Sequence, residues 1–190
     1  MRGGADNRGM RKPLILFTPK SILRHPKAVS TLDDLATGRF EEILDDPFLS
    51  DRSRVNRVLL CSGKIFYDLL GGREQKKADN VAIVRVEQLY PFRETMLAEI
   101  LARYPEAAEV LWVQEEPKNM GAWMSVKGPI RRILDRNKRR LSFVGRFSAA
   151  SPAAGSLKRH QREQAQIVED CFTFPLAKRQ RTRLVRRKKA

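Results

Sequence analysis

The chain has 190 residues, with 38 Lys or Arg against 22 Asp or Glu, for a formal net charge of +16. That length suits one ordinary domain with a single buried core. No apolar run approaches the roughly 20 residues that a membrane-spanning helix needs, and the start, MRGGADNRGMRK, lacks the apolar stretch of a secretory signal.

The charge is unevenly placed. Lys178 to Lys189 holds eight basic residues and no acid, and the first twelve residues add +3, which leaves +5 for Pro13 to Ala177. This partition predicts a disordered basic start (1–12), a folded domain (13–174) and a disordered basic tail (175–190). No recognition helix, zinc pattern or RNA platform accompanies the tail, so nucleic acid is a disfavoured partner. The two cysteines, Cys61 and Cys171, fit no metal spacing and read as reduced, buried thiols. A reducing compartment follows: the cytoplasm of a bacterium, or a mitochondrial matrix if the source is eukaryotic.

In chain order, Leu14–Phe17 reads as a short buried strand, and Ser21 opens a helical turn that His25-Pro26 interrupts. A second helix is predicted from about Ser30 through STLDDL, whose acids suit a first turn, and ATGRFEEIL continues it past Gly38. Val55–Cys61 reads as a strand. Ser62 then caps a short helix, IFYDLL, that Gly71-Gly72 stops. Val81–Val86 is a third strand, and RETMLAEILARY is a helix with Met96, Leu97, Ile100, Leu101 and Tyr104 on one face. Val110–Val113 is a fourth strand, ended by Gln114, Glu115, Glu116 and Pro117. A helix follows through the 120s, with a kink or restart expected at Gly128-Pro129. Leu141–Gly145 is a fifth strand. The last helix runs from Leu157 to about Phe172, with Leu157, Gln161, Gln164, Val168 and Cys171 in one stripe.

About five strands alternating with helices predict an α/β fold: a mainly parallel sheet covered on both faces. Ligands in such sheets sit beyond the carboxyl ends of the strands, and here that edge is polar. Ser62-Gly63-Lys64 opens a helix after a strand but lacks the glycine-rich approach of a phosphate loop, so capping is the better reading. Gly145 and Gly155 bracket a loop that suits either a ligand backbone or tight packing. Glu115 and Glu116 suggest an acid/base pair, but alternation along a strand points them to opposite faces. Salt bridging at an interface is the better reading, with Lys20, Arg24 and Arg146 as candidate partners. His25 and His160 complete no triad and no metal set, so no catalytic and no metal-binding residue is assigned.

The segments RKPLILFTPKSILRHPKAVS, CSGKIFYDL, VAIVRVEQLYPF, VQEEPKNMGAW and GRFSAASPAAGSLKRHQREQ, in this order, resemble the carboxyl-terminal domain of the thiamine-dependent first component of 2-oxoglutarate dehydrogenase. The resemblance covers about Arg11 to Phe172 and implies a three-layer, transketolase C-terminal-like domain. It further implies that thiamine diphosphate and Mg²⁺ are held by two preceding domains across a dimer. Those domains carry the decarboxylation, within a larger complex of the tricarboxylic acid cycle. This chain would then bind no cofactor, and its role would be structural: docking on the thiamine-binding domains. Some members of the family bind acetyl-CoA as a regulator, at positions that fall here on Arg39, Glu42, Gln88, Thr95 and Met96. Arg39 and Gln88 keep chemistry suited to a nucleotide or CoA ligand, whereas Thr95 and Met96 replace a basic pair and Glu42 would repel phosphates. Met120, Arg93 and Phe147 are further departures from the family pattern, and so is the basic tail.

Overall fold

The computed structural model describes residues 19–106 and 108–173. The strand expected at Leu14–Phe17, the basic start and the basic tail all lie outside them. The described chain falls into two compact units divided after Thr37.

The first unit contains one turn of 3-10 helix at Ile22–Arg24, which stops where His25, preceding Pro26, takes an extended conformation. It also contains α1 (Leu32–Ala36). Thr31, not Ser30, caps α1: its hydroxyl accepts from the Asp34 amide, and the Asp34 carboxylate accepts from the Thr31 amide.

In the second unit, β1 (Ile43–Leu44), β2 (Arg57–Cys61), β3 (Val81–Val86), β4 (Glu109–Pro117) and β5 (Leu141–Arg146) form one sheet in the order β1-β3-β2-β4-β5. Every pairing is parallel except the short antiparallel edge of β1 on β3. The connecting helices are α2 (Ile65–Lys76), α3 (Glu94–Leu101), α4 (Trp123–Asp135) and α5 (Leu157–Phe172). Helices α3 and α4 cover one face, packing Leu97, Ile100, Val126 and Ile130 on Val58, Leu60, Val84 and Trp112. Helices α2 and α5 cover the other, packing Phe66, Leu69, Ile167 and Cys171 on Leu59, Ile83, Leu111 and Val113. The result is the expected three-layer α/β architecture.

Several elements depart from the sequence reading. Ile43 and Leu44, read as helix, form the edge strand β1. The outer edge of β3 beyond it is completed by buried Asp46, whose carboxylate accepts from the Ile83 amide at 2.8 Å and pairs with buried Arg73. Helix α2 does not stop at Gly71-Gly72 but runs through both. Gly72 is there for a close approach, since a Cβ on it would lie 2.5 Å from Val168 Cγ1 on α5. Lys64, not Ser62, occupies the position before α2. β4 continues four residues past Val113, irregularly, with Pro117 registered against Arg146. Pro129 lies inside an unbroken α4. On α5 the buried residues are Ile167 and Cys171, while Leu157 is exposed, so the lower half of the expected stripe faces solvent.

Candidate functional site

The carboxyl ends of the strands gather most of the polar side chains singled out from the sequence. Lys64, ahead of α2, places its ammonium 2.9 Å from Glu115 on β4 and 3.4 Å from Asp68 one helical turn on. Gln164 on α5 sits over the same carboxylates: its Nε2 donates to Asp68 at 2.8 Å and to Glu115 at 3.2 Å. Its Oε1 accepts from Arg146 at the end of β5 at 3.2 Å. Burial pulls the Lys64 pKa down, but Glu115 and Asp68 together outweigh burial and hold it above the ordinary lysine value.

Arg146 also lies 2.9 Å from His160 Nδ1. Arg146 Nε is buried without a hydrogen bond, 3.5 Å from a Glu163 carboxylate that Arg159 holds at 2.7 Å. The network therefore joins α2, β4, β5 and α5, and it commits both Glu115 and Arg146 to partners within the domain. Lys64 is likewise committed to carboxylates, which leaves its phosphate-binding role without a free charge.

Glu116 is exposed and takes no part in the contacts that hold Glu115. Lys20 and Arg24 belong to the first compact unit, where both are exposed. Gly145 serves packing: a Cβ there would lie 2.7 Å from Phe143 Cζ and 2.9 Å from the Gln114 carbonyl.

Sequence reasoning missed two buried polar residues, Gln114 at this edge and Arg57 at the opposite one. Gln114 is 3% exposed. Its Oε1 accepts from Trp112 Nε1 and from the Trp123 amide, both at 3.0 Å. Its Nε2 serves the carbonyls of Glu116, Pro117 and Met120, so one amide shapes the whole turn from β4 into α4. Asn119 then clasps the loop after β5, bonding both the amide and the carbonyl of Ala149 at 3.0 Å. Arg57, fully buried at the amino end of β2, donates to Glu109 and to the carbonyls of Cys171 and Thr173, which fastens the far end of α5. The signal for both was strand register. Gln114 continues the inward row Val110, Trp112, and Arg57 begins the row Leu59, Cys61.

What the same edge exposes is apolar. Leu89 and Tyr90 after β3, Met124 at the start of α4, Phe147 after β5 and Leu157 at the start of α5 are all exposed, Tyr90 at 91% and Phe147 at 75%.

A second feature is an open cleft of about 670 Å³ between the residues before β1 and the start of α3. It brings together Arg39, Glu42, Thr95 and Met96, between Phe40 and Phe92. Gln88 is not among its lining residues and donates instead to the Pro91 carbonyl at 2.8 Å. Arg39 pairs with Glu41 at 2.8 Å and Arg93 with Glu42 at 3.4 Å, so the cations at its rim already face carboxylates.

The chemistry of nucleophiles and metals is meagre. Burial pushes the Cys61 thiol to about 12 and raises Cys171 well above its ordinary value, so neither is a thiolate near neutrality. Among the described residues no group of three His, Cys, Asp or Glu is placed to hold a metal ion, and no helix is long and apolar enough to cross a membrane.

The chain is 45% identical over 168 residues to the 2-oxoglutarate dehydrogenase E1 component of Azotobacter vinelandii, covering 87% of this chain and 18% of that protein. It is 43% identical over 162 residues to the component of the same name from Cupriavidus necator, covering 85% of this chain and 17% of that protein. The corresponding protein of Haemophilus influenzae is 42% identical over 167 residues, again 18% of its length. The chain thus spans less than a fifth of the length of these relatives. Residues 29–172 match the family described as 2-oxoglutarate dehydrogenase C-terminal, and the chain belongs to that family.

Proposed function

We propose that this chain acts as the carboxyl-terminal docking and assembly domain of a thiamine-dependent 2-oxoglutarate dehydrogenase component in the bacterial cytoplasm. It serves the tricarboxylic acid cycle without catalysing a step itself. The observation that carries the reading is the carboxyl edge, where charged groups are satisfied within the domain while Tyr90, Phe147, Met124 and Leu157 are left exposed. Exposed apolar residues gathered on one edge and rimmed by charge mark a contact surface. The partner on this reading is the pair of thiamine-binding domains that the family resemblance implies, and the relatives extend well beyond the fifth of their length that this chain matches. A dimer of those domains is the expected setting, inside the larger complex.

Thiamine diphosphate and Mg²⁺ do not fit the described residues. The edge carboxylates Asp68 and Glu115 are already neutralised by Lys64, and among the described residues no group of three His, Cys, Asp or Glu is placed to hold a metal ion. The thiols are buried and protonated. On this reading the cofactor and the decarboxylation belong to the preceding domains that the family resemblance implies.

The test is complementation. The Azotobacter vinelandii component, shortened to lack its own matching region, is assayed with thiamine diphosphate, Mg²⁺, 2-oxoglutarate and an electron acceptor while this chain is titrated in. Turnover should rise with added chain, and a Tyr90→Ser/Phe147→Ser variant should need a higher concentration. Turnover by this chain alone, or no response to it, would overturn the proposal. The regulatory reading, with Arg39 and Gln88 meeting a nucleotide or CoA, has less support because Gln88 lies off the cleft and Arg39 already faces Glu41. Calorimetry with acetyl-CoA and AMP on wild type and Arg39→Ala checks it, and heat lost in the variant would revive it.

A further inference from the structure

The opposite edge of the sheet carries a surface that docking does not use. Because β4 and β5 are parallel, α4 returns the chain to the amino edge, where the turn 136–140 enters β5. Between Lys127 and Arg140 the chain has seven basic residues, Lys127, Arg131, Arg132, Arg136, Lys138, Arg139 and Arg140, and one acid, Asp135. Three have partners: Lys127 donates to Met124 Sδ at 3.7 Å, Arg132 pairs with Glu94 across α3 and α4, and Arg139 donates to the Ala108 carbonyl at 3.0 Å, tying the turn to the start of β4. Arg131, Arg136, Lys138 and Arg140 are exposed and form no ion pair with a described residue.

We propose that these four side chains bind the phosphate backbone of double-stranded nucleic acid without reading its sequence. A bland account exists, since cations near a helix carboxyl terminus are favoured by its dipole. That effect fades within the last turn, however, and Lys138 and Arg140 lie beyond α4. The surface also lacks what a protein partner would need. Ile130, Ile133 and Leu134 are buried, and no large apolar residue between Lys127 and Arg140 is exposed. Protein interfaces rest on apolar and aromatic anchors and are depleted in lysine, whereas phosphate contacts need only cations at suitable spacing. No recognition motif is required, because such contacts position a protein without specifying a base.

The test uses fluorescence anisotropy of the full chain with two labelled 20-base-pair duplexes of unrelated sequence, from 50 to 200 mM NaCl. Each phosphate neutralised contributes about −0.9 to the slope of log affinity against log salt, so replacing all four cations by Gln should lower its magnitude by about 3.6. The separate pairs Arg131→Gln/Arg136→Gln and Lys138→Gln/Arg140→Gln should each lower it by about 1.8, equally on both duplexes. Two disjoint pairs keep the test meaningful if one variant folds poorly, and circular dichroism reports folding. A slope unchanged by either pair, with binding lost only when the basic residues of 178–189 are neutralised, overturns the proposal. So does competition by poly-glutamate as strong as by duplex, which would indicate an acidic protein partner. Failure of docking at the carboxyl edge leaves this outcome untouched, because the two surfaces share no residue.

Discussion

Adjacent glycines in α2 should respond to the same substitution with opposite signs. A Cβ on Gly71 meets nothing within 4 Å, whereas one on Gly72 would lie 2.5 Å from Val168 Cγ1 and 3.0 Å from Phe172 Cε2. Alanine gains about 0.8–1.0 kcal/mol of helix propensity over glycine at either position. Gly71→Ala should therefore stabilise by nearly that amount. At Gly72 the gain is offset by overpacking, typically about 1–3 kcal/mol. The relief is poor because Val168 is β-branched and has few rotamers to escape into. Propensity cancels between the two variants, so their difference isolates the α2–α5 contact at about 1–3 kcal/mol. For a domain of this size about 1 kcal/mol moves the midpoint by roughly 2–4 °C, which makes thermal unfolding by circular dichroism adequate. Adding Val168→Ala to Gly72→Ala should recover part of the loss, and a double-mutant cycle measures how much. Equal midpoints for the two single variants would refute the close approach. A stabilising Gly72→Ala would refute the packing of α5 on α2 outright.

Three other outcomes follow from the polar contacts. Gln114→Ala strands the Trp112 Nε1–H and the Trp123 amide in the core, at about 1–3 kcal/mol for each unsatisfied donor, so the urea midpoint should fall sharply while Glu116→Ala leaves it nearly unchanged. Lys64 has a raised pKa in the folded state, so its stabilisation is fully present below the ordinary lysine value and is lost as pH rises through the raised one. The stability difference between wild type and Lys64→Met should accordingly be constant through neutral pH and shrink in alkaline titration, and a difference that grew there would reverse the sign of the coupling. Cys61 and Cys171, both buried with raised pKa, should resist an aromatic disulfide reagent in the native chain and titrate as two thiols in denaturant.

Strands β2 and β3 were legible because each is a largely apolar run buried on both faces, and apolar runs of strand length have few other readings. The edge strand was not, since Ile43-Leu44 is too short to show a period and exists through its distant partners Arg85 and Val86. Gly71-Gly72 misled for a physical reason: glycine ends helices, but it also lets two helices touch, and only the position of α5 distinguishes the two uses. Pro117 was expected to lie beyond β4. It stays within because the ladder is already irregular there and the next amide, Lys118, donates to Arg146 in its place. At the site, the different settings of Glu115 and Glu116 followed from alternation alone. Their partners did not, because Lys64 and Gln164 reach Glu115 from helices 51 and 49 residues away in sequence.

The arrangement of partners bears on how the domain would dock. With Glu115, Asp68 and Arg146 bound inside the domain, breaking them open for an intermolecular bridge would strand half-buried charges, which costs more than a rim bridge returns. Docking then falls to the exposed apolar residues. Burying Tyr90, Phe147 and Leu157 contributes roughly 1.5–3 kcal/mol each, or about 5–9 kcal/mol together. Association of separate molecules costs about 4–15 kcal/mol in lost freedom, so these three anchors barely offset it. Covalent continuity with the preceding domains would remove most of that cost by raising the effective concentration. A separate chain should therefore complement a shortened relative only at micromolar concentration or above, and with little dependence on salt. Nanomolar, strongly salt-sensitive complementation would mean that the charged network opens on docking, and that Glu115 and Arg146 contact the partner after all.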